Sequence, residues 1–235
     1  MDEDDRRGGR EAWPDESDGN GNGLVGFRET CREYYAYVEG LARMVAGIIA
    51  EGLGLETEYF AGYFERQMAH CRLIHYFAEE GGTEDEDKEN NDIGIGLHTD
   101  WGLITVLLQD DVGGLQVLDG KTGEYISVPP TPGAYVVNCG DLLSRFTNGV
   151  YTSARHRVIA PPPGVHRYSV PFFCDGNPDY VVDVLPLGEE WKAWAQGKRG
   201  KPVDVEKRMY DPVRAGDYFE MKWRESASGG RKETA

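Results

Sequence analysis

Nine short runs of β-forming residues follow one another between residues 72 and 186, and they constrain the fold more than any other feature of the chain. They are RLIHYF, IGLHT, LITVLLQ, GLQVLD, EYISVPP, AYVVN, SARHRVIA, RYSVPFF and YVVDVLP. Stretches rich in Gly, Pro, Asn and Asp separate them: DDVGG, DGKTGE, PPTPG, TNG, PPPG and DGNPD. Each run is too short for a typical helix, and the breakers between them are turn chemistry. Many short strands joined by frequent turns must close into a sandwich or jelly roll to bury their apolar faces. Asn148-Gly149 reads most simply as a hairpin turn leading toward the SARHRVIA strand.

Helical patterning flanks the β region. Tyr34, Val38, Leu41, Val45, Ile48 and Ile49 recur at helical spacing, so residues 27–54 read as one long helix ended by the glycines of GLGL. Thr57 is a candidate cap for a second helix through EYFAGYFERQM. After Pro186 helix-like patterning returns around EEWKAWAQ and GDYFEMKW. The expected organisation is a disordered acidic leader (1–26), one domain (27–224) and a polar tail (225–235). Within the domain, helices occupy 27–70, the β core about 71–185 and a C-terminal helical segment 186–224.

Charge excludes some functions. The formal net charge is −16; residues 1–23 carry eight acids against three bases and residues 79–92 eight against one. Both stretches read as solvated segments without a packed core, and the remaining body is only mildly acidic. A nucleic-acid groove needs clustered Lys and Arg, so no nucleic-acid partner is expected. No apolar run approaches the roughly 20 residues of a membrane helix, and the leader is neither a signal nor a transit peptide. The four cysteines, Cys31, Cys71, Cys139 and Cys174, form no CxxC pair. They read as free thiols of a reducing compartment, and the expected location is cytoplasmic.

Chemistry concentrates in three places. If LHTDW is strand, His98 and Asp100 project from one face, roughly 7 Å apart, with Gly94 and Gly96 before them on that face. An imidazole beside a carboxylate is two-thirds of a 2-His-1-carboxylate iron site, although such pairs also arise as plain hydrogen-bonded neighbours. His156 lies in SARHRVIA and shares a face with Ala154, Val158 and Ala160; a polar ring between apolar neighbours needs a partner, be it a metal or a carbonyl. In HRYSVPFF, Arg167, Ser169, Pro171 and Phe173 share a face. A guanidinium on an apolar face requires either an internal carboxylate or an anionic ligand held by its planar fork, with the Ser169 hydroxyl as a further donor. The other histidines have quieter readings: His75 as a packed core residue, His70 as structural near a helix end, His166 as an exposed turn residue.

The combination, HxD at 98–100, His156 fifty-six residues after Asp100, and RxS at 167–169, resembles the Fe(II)/2-oxoglutarate-dependent dioxygenases, in their isopenicillin N synthase-like branch. The resemblance runs from about residue 27 to 224 and is strongest over 93–174. It implies a mainly β fold with flanking helices and a double-stranded β-helix (jelly roll) core. It implies Fe(II) held by His98, Asp100 and His156, with 2-oxoglutarate as cosubstrate and O2 as oxidant. Arg167 and Ser169 then correspond to the residues that hold the distal carboxylate of 2-oxoglutarate, and Tyr76 to a tyrosine on the cosubstrate. Phe173 and Trp101 are candidates for contact with a small-molecule prime substrate. The implied reaction is hydroxylation or desaturation of that substrate with release of succinate and CO2. Two departures stand out: the leader replaces a segment that relatives carry before the long helix, and Ile74 stands where many plant relatives have asparagine. Two other readings stay open, a non-catalytic iron- or ligand-binding remnant of the same fold and a cupin-like zinc protein.

Overall fold

The computed structural model describes residues 13–14, 16, 23–77, 93–188, 191 and 207–229. Most of the expected leader, the acidic stretch 79–92, the EEWKAWAQ segment apart from Trp191, and the tail beyond 229 lie outside the described residues. The chain divides into two compact units, residues 1–40 and 41–235. In the first, Trp13 meets the Phe27 ring edge-on at 6.2 Å, and the Arg28 guanidinium lies 5.6 Å from the Trp13 ring centre.

Helix α1 spans Phe27–Gly52. Its end is a Schellman turn: the Leu55 N–H donates to the Ala50 carbonyl, and Gly54, at φ 73°, supplies the left-handed residue that the turn requires. The buried stripe in its second half is Ala42, Ala46 and Ala50, whereas Ile48 is 62% exposed. Small residues, not the bulky apolar ones expected, thus mark the buried side there. The second helix is also shorter than expected: α2 is only Ala61–Phe64, and Thr57 donates to the Glu51 carboxylate instead of capping it. Arg66 turns the chain through a left-handed conformation, and the Met68 N–H binds the Gly176 carbonyl, which aims the next residues along the β core.

The core consists of antiparallel sheets, the double-stranded β-helix arrangement. Its strands are β1 (Ala69–Cys71), β2 (Ile74–Phe77), β3 (Ile93–His98), β4 (Ile104–Gln109), β5 (Leu115–Leu118), β6 (Tyr125–Ser127), β7 (Val136–Cys139), β8 (His156–Ile159) and β9 (His166–Cys174). One sheet runs β1-β9-β4-β7, with β2 also pairing β9; the other runs β3-β8-β5-β6. A small ribbon pairs β10 (Val181–Val182) with β11 (Val213–Arg214). Each expected run yields one strand, most of them shortened but β3 and β9 longer than their runs, and β1 opens the sheet at residue 69, ahead of the expected start.

Helix α3 (Asp141–Phe146) interrupts the strands, and its sequence, DLLSRF, had no assigned element. Its end explains Asn148-Gly149. The Gly149 N–H donates to Ser144 O and the Asn148 N–H to Arg145 O, with φ of 50° at Asn148 and 77° at Gly149. These residues close a helix and do not form a hairpin, because β7 and β8 pair with different partners. Helix α4 (Ala215–Gly229) follows β11 and takes up the first five residues of the expected polar tail. Among the described residues no helix is long and apolar enough to cross a membrane.

Candidate active site

Strand β9 sets the frame. It alternates without interruption, so Arg167, Ser169, Pro171 and Phe173 all face one cavity of about 670 Å³ that both sheets line. Its antiparallel partner does the same in reverse. Tyr76 stands opposite Arg167 and Ile74 opposite Ser169, and both face the cavity. An apolar floor of Tyr76, Leu115 and Val158, with Ile95, Leu107 and Val136 against it, closes the Arg167 end.

The other sheet brings three ligand-type side chains together. Potential donor atoms of His98, Asp100 and His156 lie within 4.8 Å of one another. Each histidine Nε2 is 3.8 Å from one oxygen of the Asp100 carboxylate, and the two rings are 4.3 Å apart. His98 Nδ1 contacts the Gly96 carbonyl at 2.7 Å, and His156 Nδ1 contacts the Ala154 carbonyl at 2.9 Å. A carbonyl only accepts, so both Nδ1 atoms carry hydrogen and both Nε2 lone pairs point to the shared centre. Burial lowers the His98 pKa, and the neighbouring His156 acts in the same direction, while the Gly96 hydrogen bond and Asp100 oppose it. The neutral, ligating form is therefore favoured. Asp100 is buried and accepts a 2.8 Å hydrogen bond from the Asn138 side chain. Outer partners of this kind fix ligand orientation.

The route by which His98 reaches this position differs from simple alternation. Strand β3 shifts register against β8 twice, between Ile93 and Ile95 and between Ile95 and His98. Ile95 and His98, three residues apart, consequently face the same cavity. The strand stops at His98, and Asp100 belongs to the segment beyond it. Gly94 does not make room beside His98 and Asp100; a Cβ there would sit 2.8 Å from the Tyr76 ring, so its missing side chain lets the two sheets approach at that tyrosine.

Arg167 is 1% exposed. Its Nε donates to the Gly113 carbonyl, its Nη2 lies 3.4 Å from Gln109 Oε1, and its guanidinium carbon is 4.7 Å from the Tyr76 ring centre. Nη1 has no hydrogen-bond partner, and among the described residues no carboxylate pairs with Arg167. Among the described residues an internal salt bridge therefore does not account for this cation. The structure brings all eight expected site residues to one cavity: Tyr76, His98, Asp100, Trp101, His156, Arg167, Ser169 and Phe173. Trp101 packs edge-on against Trp223 of α4 at 5.6 Å.

Three sites differ from expectation. His75 is exposed, not packed in a core; it stacks on Tyr168 at 4.5 Å and shares a 2.7 Å contact with His166. His166 opens β9 and is tied to that neighbour rather than lying free in a turn. His70 lines the cavity, stacks on Phe173 at 4.8 Å and pairs with Asp175 at 2.9 Å. Sequence reasoning also passed over Arg72 and Asn138, which line the same cavity. Arg72 shares the period-two face of Ile74 and Tyr76, a signal already present in RLIHYF.

Comparison with known proteins agrees with this geometry. Residues 68–176 match the family model of the 2OG-Fe(II) oxygenase superfamily. The chain belongs to that superfamily. It is 49% identical over 160 residues to the 2-oxoglutarate-Fe(II) type oxidoreductase hxnY of Emericella nidulans, covering 68% of this chain and 44% of that protein. A 2-oxoglutarate-Fe(II) type oxidoreductase of Aspergillus fumigatus is 39% identical over 206 residues, 88% of this chain and 57% of that one. The chain thus spans about half the length of these curated relatives. The crystal structure of a full-length Neurospora crassa protein in complex with alpha-KG and thymine superimposes with a TM-score of 0.73 at 30% identity, covering 91% of this chain and 60% of that one.

Proposed function

We propose that this chain is an Fe(II)- and 2-oxoglutarate-dependent oxygenase that oxidises a small organic metabolite, by hydroxylation or desaturation. One observation carries the reading: a fully buried arginine with an unpartnered Nη1 faces the same cavity as a His-Asp-His cluster. Two imidazoles and one carboxylate, converging from one side, fit the facial triad of non-haem Fe(II) oxygenases. The remaining cation fits a small dicarboxylate whose far end it would hold.

His98, Asp100 and His156 would hold the iron, with Asn138 fixing the Asp100 carboxylate. Arg167 would receive the distal carboxylate of 2-oxoglutarate on its open edge, with the Ser169 hydroxyl donating beside it and the Tyr76 ring beneath the guanidinium. When bound, Fe(II) and 2-oxoglutarate supply the oxidation, in which O2 is consumed and 2-oxoglutarate leaves as succinate and CO2. The apolar floor keeps water from the Arg167 end, which strengthens the charge pairing there. Trp101 and Phe173 stand where a prime substrate of the size of thymine, the ligand named for the Neurospora protein, would meet the cavity.

The test combines anaerobic Fe(II) titration with mass-spectrometric detection of succinate after O2 is admitted to the protein with 2-oxoglutarate. Succinate formed only with Fe(II) is the expected result. Tight Zn(II) binding with no response to 2-oxoglutarate would favour a cupin-like zinc protein, and Fe(II) binding without succinate a non-catalytic remnant.

A further inference from the structure

The ladder of cavity-facing residues extends beyond the groups used so far. Past Ser169 and Ile74, the opposed strands present Pro171 beside Arg72, then Phe173 opposite His70, then Asp175. Arg72 is four residues from Tyr76, roughly 13 Å along an extended chain. Arg167 stands directly opposite Tyr76, so the two arginines cannot serve one carboxylate.

Charge at this end of the cavity is unbalanced. Asp175 is the nearest acidic residue in the ladder, and His70 engages it. The Asp100 carboxylate is committed to the His-Asp-His cluster and to Asn138. Lys222, on α4, is matched by Asp141 at 3.2 Å. Among the described residues no carboxylate pairs with Arg72, whose guanidinium carbon lies 5.4 Å from the centre of the Phe173 ring. Arg72 is exposed at this end of the cavity, and a fork-shaped cation beside an aromatic face is a site for an anion carried on a flat apolar body.

We propose that Arg72 selects the prime substrate, and that this substrate is a small planar or aromatic molecule bearing a carboxylate. The carboxylate pairs with Arg72, and the ring lies against Phe173 between that arginine and the metal cluster. The His70–Asp175 pair holds the Phe173 face in place by stacking and keeps Asp175 from neutralising Arg72. This deepens the oxygenase reading and rests on it for the assignment of the cavity.

Binding can be followed without turnover, through the fluorescence of Trp101 and Trp223, which line the same cavity. The full chain, saturated with 2-oxoglutarate, is titrated with matched probes that differ in charge: benzoate against benzamide, and phenylacetate against phenylacetamide. The expected result is a preference for the acid of about tenfold or more, the scale of one charge-assisted contact. Arg72→Gln should reduce the preference to about twofold or less, and Arg72→Lys should keep part of it. Equal binding of acid and amide, binding of neither, or an undiminished preference in Arg72→Gln would overturn the proposal. Succinate formation is measured separately, so failure of the oxygenase reading would not mimic failure of the Arg72 assignment.

Discussion

Strands β9 and β3 face each other across the cavity and deliver their functional groups in opposite ways. β9 keeps strict alternation over nine residues, and its inward row is a simple count by two from Arg167 to Phe173. β3 loses register twice in six residues and ends at His98, so its inward residues are Ile95 and His98, and Asp100 reaches the centre from outside the strand. The regular wall spreads its groups along a line, which suits an extended ligand. The irregular wall gathers groups at a point, which suits an ion. A pleat cannot converge three donors from nearby positions without a bulge, because its inward side chains are parallel and about 7 Å apart.

The largest effects should come from the converging wall. Asp100→Ala removes one of the three proposed ligands and should cut Fe(II) affinity by more than the roughly 100-fold upper range of an outer partner, measured by anaerobic titration. Asn138→Ala leaves the ligands in place but releases the Asp100 carboxylate, and should weaken Fe(II) binding by roughly 10–100-fold. If Asn138→Ala bound iron as well as the parent, convergence would not depend on that hydrogen bond.

The linear wall should respond separately. Arg167→Lys keeps the charge and loses the planar fork, and should cost about 2 kcal/mol in 2-oxoglutarate binding, with Ser169→Ala costing about 1 kcal/mol. Fe(II) affinity without 2-oxoglutarate should not change in either variant; a parallel loss of both would show that the walls act as one. The smallest effect concerns pH. Because His98 is held below its ordinary pKa near 6.5, protons compete with Fe(II) at this ligand only at pH values below the usual histidine range. In the metal-free protein the unfolded state binds more protons than the folded one in that window, so His98 lowers stability as pH falls through it. Chemical denaturation at stepped pH, in the parent and in His98→Asn, checks the sign.

How far each wall is legible in the sequence follows from the same contrast. Arg167, Ser169, Pro171 and Phe173 can be placed by counting, since nothing in RYSVPFF disturbs the period. His98 and Asp100 stand out through their residue types, but the place where Gly94 makes room, at Tyr76, is not legible, because a bulge is a property of pairing with β8 and leaves no mark in IGIGLH. Arg72 is visible as a face-mate of Tyr76, but that no carboxylate among the described residues pairs with it emerges only when β9 supplies Phe173 and the residue after it supplies Asp175. Asn138 acquires its role through a partner thirty-eight residues away. The buried side of α1 departs from expectation for a different reason: alanines carry a weak apolar signal, and close packing of a helix selects them over the exposed Ile48.

The open Nη1 of Arg167 has a consequence for the protein's lifetime. Folding strands part of a charge away from water, and the fold recovers that loss only when an anion arrives. A ligand that binds the native chain and not the unfolded one stabilises it by about 2.7 kcal/mol at a hundred times its dissociation constant. A chain made while the matching dicarboxylate is scarce would sit nearer its unfolding threshold, more exposed to proteases, and one made in plenty would persist. On the proposed assignment of Arg167, the abundance of the protein would then follow the supply of that dicarboxylate.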